Sequence, residues 1–130
     1  MRAKYPLLAV AVIVIALVAL ILWPRDPAEP AFTAHTARHT VNLTVDHLEQ
    51  GPNTFDVKVT DSAGTPLAAN TVTVELVMPQ MGHALPPVTA ARTGPGRYRA
   101  RDTDIPMPGQ WEVTVSLPGT EKAVFSLLVT

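Results

Sequence analysis

The sequence contains no cysteine. That single absence excludes thiolate zinc sites, iron–sulfur clusters, disulfide exchange, thiol nucleophiles and a lipidated Cys anchor. Met and His are then the only soft metal donors. Aromatic residues make up 5% of the chain and charged residues 16%. From Pro30 onward seven Lys and Arg stand against nine Asp and Glu, the opposite of the basic footprint that a phosphate backbone requires, so nucleic acid is excluded as a partner. The sequence also lacks G-x-S-x-G, H-E-x-x-H, a Walker glycine loop and a dinucleotide fingerprint. Hydrolysis and phosphoryl transfer have no motif to act through, and an enzyme is not expected.

What is present divides unevenly. The mean hydropathy of +0.19 is concentrated in an unbroken apolar run from Pro6 to Trp23. Arg2 and Lys4 precede it, and Trp23-Pro24-Arg25-Asp26-Pro27 after it lacks the small-x-small pattern that signal peptidase reads. The run therefore predicts a retained transmembrane anchor over 6–23. At 1.5 Å per residue it spans about 27 Å, with Tyr5 and Trp23 at the interfaces and the basic residues 1–5 in the cytoplasm. The expected location is the cytoplasmic membrane, single-pass, with the remainder of the chain extracytoplasmic. Prolines at 24, 27 and 30 predict a stiff polyproline-type linker over 24–31.

Residues 32–130 are enough for one domain. Period-2 alternation recurs through Val41-Leu43-Val45, Phe55-Val57-Val59, Val72-Val74-Leu76, Val88–Arg92, Arg97–Arg101, Trp111–Leu117 and Ala123–Val129, with turn signals between them. The pattern predicts an all-β, antiparallel immunoglobulin-like sandwich of about seven strands that folds without metal. Asp102 and Asp104 are spaced to share a strand face but sit at a strand end, where solvated acids are the plainer reading.

The stretch with chemical character is Met78-Pro79-Gln80-Met81-Gly82-His83, with Ile105-Pro106-Met107-Pro108-Gly109 as its counterpart. Neither holds a carboxylate. Thioethers suit Cu(I), and imidazole serves Cu(I) and Cu(II) alike, so Met81, His83 and Met107 are candidate copper ligands. Gly82 lets the chain turn between the first two, and Pro106 and Pro108 restrict the backbone around the third. Met78 continues the inward phase of Val72, Val74 and Leu76 and reads as core before ligand. The competing reading of His83 is a loop imidazole exposed to water. His35 and His39 lie about 13 Å apart in extended chain, too far to share an ion, and His47 sits at a strand end.

The Gly-containing hairpin from Asp61 to Pro66, the valine-rich strand, Met-Pro-x-Met-Gly-His at 78–83, Gly-x-Tyr at 96–98 and Met-Pro-Gly-x-Trp at 107–111 occur in one order. In that order and spacing, residues 40–129 resemble the YtkA-like domain, related to FixH. The resemblance implies a small bacterial extracytoplasmic β-sandwich, often membrane-anchored and found in copper-handling or respiratory-oxidase-assembly settings, with no catalytic activity. It implies Met81, His83 and Met107 as copper ligands and Trp111 as a core residue. The expected function is a module that holds copper or passes it to a neighbouring membrane or extracytoplasmic protein. The alternative is a metal-free interaction module assisting assembly of a membrane complex.

Overall fold

The computed structural model describes residues 5–24 and 29–130. Helix α1, Pro6–Leu22, has 17 residues and no buried side chain. Pro6 stands in its first turn, where a missing N–H costs nothing. The helix stops one residue short of the expected span because Trp23 precedes Pro24. A residue before proline is driven out of the α region, and Trp23 is extended at φ −58°, ψ 124°. No helix of the described residues is long and apolar enough to cross a membrane. Arg2, Lys4 and the middle of the expected linker lie outside the described residues.

The rest is β-structure in nine strands: β1 Ala31–His35, β2 His39–Val45, β3 Gly51–Asp61, β4 Thr71–Met78, β5 His83–Ala84, β6 Val88–Gly94, β7 Arg97–Ile105, β8 Gly109–Ser116 and β9 Lys122–Val129. Seven were expected. The two additional strands are β1, none of whose residues is fully buried, and β5, which is two residues long. β5 is too short to show a period, and in β1 the alternation is confined to Phe32 and Ala34. β1 begins at Ala31, and the Val45 N–H donates to the Pro30 carbonyl at 3.0 Å, so the sheet starts inside the stretch expected to be linker.

The strands form one antiparallel sheet in the order β1-β2-β3-β7-β6-β4-β8-β9, with β5 added to β4. The all-β antiparallel architecture is the one expected; the strands of the expected sandwich are joined edge to edge in one sheet. β6 pairs with β7 through Ala91–Gly94 and with β4 through Val88–Ala91, so the sheet is continuous through β6. β1 and β9 approach at the far side, which makes the architecture nearly a barrel. Twisted sheets of this size curl on themselves as their strands accumulate rotation. Inward residues alternate along every long strand, and the largest of them are Trp111, Tyr98 and Phe55.

One bulge changes the phase of β7. Asn53 faces Thr103 but Phe55 faces Ala100, which leaves one extra residue on β7, and Asp102 there has φ 52°. Tyr98, Ala100, Thr103 and Ile105 are inward while Asp102 and Asp104 are both exposed. The two carboxylates are solvated and form no buried pair.

Candidate functional site

The candidate ligands lie where β4 ends and β8 begins. After Met78 the chain makes a 3₁₀ turn over Pro79–Met81, and Gly82, at φ 59°, closes it by donating its N–H to the Pro79 carbonyl at 3.2 Å. That left-handed conformation favours glycine. It reverses the chain so that β5 runs back along β4, with His83 directly opposite Met78. Directly opposed residues in an antiparallel pair project to the same side. His83 thus shares the side of Met78, which is the inward side, but remains exposed because it lies at the rim.

The second segment follows β7. The Gln50 amide donates to the Pro106 carbonyl at 2.8 Å and ties this loop to the start of β3. Met107 is half-buried and packs against the core. Gly109 has φ 137°, and a Cβ there would lie 2.9 Å from the Met78 Cε. The absence of a side chain at 109 is what admits the Met78 methyl beneath the loop.

Trp111 joins the two segments. Its indole meets the His83 ring edge-on, with centroids 6.3 Å apart and planes at 75°. Its Nε1–H donates to the Met107 carbonyl at 3.1 Å. His83 and Met107 therefore touch the same buried ring although 24 positions separate them in sequence. Met78 is 4% exposed and belongs to the core; Met81 is 67% exposed. The two segments joined by Trp111 carry thioethers and one imidazole, donor types suited to Cu(I). Sequence reasoning missed the linking role of Trp111. Its signal was the four-residue spacing of Met107 and Trp111 around a glycine, a tight turn whose carbonyl the indole can reach.

The other histidines have different surroundings. His35 and His39 are not in one extended segment, as the spacing argument assumed. They end β1 and begin β2 on either side of a tight reversal in which the Thr36 N–H donates to the His39 carbonyl at 2.8 Å. His39 Nδ1 lies 2.5 Å from Glu121 Oε2, a half-buried pair, and His35 Nδ1 is 3.2 Å from Thr40 Oγ1. His47 is exposed, 3.6 Å from Asp46. Among the described residues no three of His, Asp and Glu gather as a metal-holding group.

Two groups elsewhere have displaced pKa values. Burial raises that of the Tyr98 phenol, with Arg92 opposing, and the hydroxyl donates to the Ala69 and Leu67 carbonyls at 2.6 and 3.2 Å. The hydrogen bond to Asp56, 2.7 Å from Arg99 Nε, raises that of Arg99.

No curated protein matches the chain significantly. The family model described as YtkA-like matches residues 33–116, a stretch that contains the Met78–His83 turn, Met107 and Trp111 and covers well over half of the sequence. The match does not bear on FixH. On that extent of agreement the chain belongs to the YtkA-like family.

Proposed function

We propose that this protein is a membrane-attached, extracytoplasmic copper-binding module without catalytic activity, which holds Cu(I) at Met81, His83 and Met107 and passes it to a neighbouring protein. The observation that supports this reading is the meeting of His83 and Met107 on one indole, with Met81 exposed one turn away. Copper here is cargo. A half-open set of thioethers and one imidazole suits a site that must release its ion, since neutral sulfur holds Cu(I) without the thiolate that would retain it.

Attachment rests on α1, whose apolar side chains are all exposed. A 17-residue helix spans about 26 Å. The shortfall against a hydrocarbon core of about 30 Å is of a size that local thinning of the bilayer absorbs at fractions of a kcal/mol per Å. Arg2 and Lys4 would keep the amino terminus cytoplasmic.

The test is competitive Cu(I) titration of the full chain in detergent. His83→Ala and Met107→Ala should each weaken binding at least about tenfold, roughly 1.4 kcal/mol, with the fold retained. Stoichiometric Cu(I) binding unchanged by either substitution would remove the site. A second reading, the metal-free interaction module, draws on Val124 and Leu128, exposed by 54% and 62% on the outer face of β9. Complete absence of Cu(I) binding would favour it.

A further inference from the structure

We propose that Trp111 is the positioning residue of the copper site, clamping its two ligand-bearing segments to each other through one indole. The inference rests on the copper reading above and extends it to a residue that donates nothing to the ion. Trp111 has 0% exposure, so its ring is held by the core. From that fixed place it makes two dissimilar contacts: an edge-on packing against the His83 imidazole and a hydrogen bond from Nε1 to the Met107 carbonyl.

The contacts act on different segments. His83 is otherwise an exposed residue of a two-stranded ladder only two pairs long, too short to fix a side chain by itself. Edge-on aromatic packing restricts the imidazole to a narrow range of orientations. The Met107 carbonyl lies between two prolines that leave no N–H at 106 or 108 to hold the loop by its own backbone. The indole N–H supplies that restraint from outside. A buried indole N–H needs a partner in any case, so burial of Trp111 and order in the Met107 loop are coupled. The entropy of orienting the His83 ring and ordering the Met107 backbone is lost on folding and not on copper binding, which raises affinity without another ligand.

Trp111→Phe keeps an aromatic ring in the core but removes the N–H together with part of the buried indole, so its urea stability is measured beside its Cu(I) affinity. The full chain carrying this substitution should fold, retain the His83 packing and bind Cu(I) about tenfold more weakly than the parent in the competitive titration. Its Met107 methyl resonance should sharpen toward that of a mobile side chain, whereas the Met78 resonance should not move. Parent-level Cu(I) affinity in folded Trp111→Phe would overturn the inference while leaving the site itself standing. Absence of Cu(I) binding by the parent would instead overturn the underlying reading. Should Trp111→Phe fail to fold, Trp23→Phe makes Trp111 the sole tryptophan. Cu(I) should then quench its emission, and either His83→Ala or Met107→Ala should diminish the quench. Copper bound at full stoichiometry with Trp111 emission unchanged would also overturn the inference.

Discussion

Strand β8 carries a histidine environment at each end, and the two differ in kind. Near its start His83 meets an indole, in segments that carry methionines and no carboxylate. Past its far end, about 20 Å of strand away, His39 meets the Glu121 carboxylate at 2.5 Å. The second pair crosses from the start of β2 to the β8–β9 turn, beside the place where β1 and β9 approach, and works as a tie across the seam. A histidine committed to a carboxylate is unavailable to a soft ion; a histidine packed only by a ring edge keeps its nitrogens free. The same side chain closes the fold at one end and leaves the other open to chemistry.

The largest effect should separate core from site within the open end itself. Met78→Ala removes a buried side chain whose methyl packs against Gly109, and should cost about 2–4 kcal/mol in urea unfolding. Met81→Ala, three residues on but exposed, should change stability by less than about 0.5 kcal/mol. Equal losses from the two substitutions would erase the distinction between framework and ligand at this end.

At the closed end the expected loss is smaller. Glu121→Gln leaves a neutral acceptor in place of the carboxylate, and should cost about 1 kcal/mol of stability without altering Cu(I) affinity. A fall in Cu(I) affinity with this variant would mean that the two ends are not independent. Sharpening the comparison further, alkaline unfolding should affect both ends at once. The folded-state pKa of Tyr98 lies above its ordinary value of 10.0 because burial disfavours the phenolate. Its contribution is therefore fully present below about pH 10 and is lost as pH rises through the folded value. Trp111 emission and the His39 ring resonances should report one common transition above pH 10; separated transitions would show that the barrel does not unfold as one unit.

Much of this was legible in the residues, and the failures have physical causes. Alternation located the long strands because each has one face in the core, and the same phase gave the burial of Met78. β1 escaped because its alternation is only Phe32 and Ala34, too short to stand out beside the prolines that precede it. The bulge at Asp102 was invisible because one inserted residue shifts the phase with no change of composition. The His35–His39 reversal was misread as extended chain for want of a Gly or Pro between them. In the candidate site the donor types could be read directly, but the contact that joins them could not. It depends on strand order, which brings β5 and the β7–β8 loop to the one indole of Trp111.

On the proposed function, the open end takes a soft ion through sulfur and a single imidazole. X-ray absorption at the copper edge of the Cu(I)-loaded full chain tests it most directly. The expected result is a first shell of sulfur with one imidazole, and loss of the imidazole scattering in His83→Ala but not in His39→Ala. A shell of nitrogen and oxygen alone, or imidazole scattering that survives His83→Ala, would contradict it.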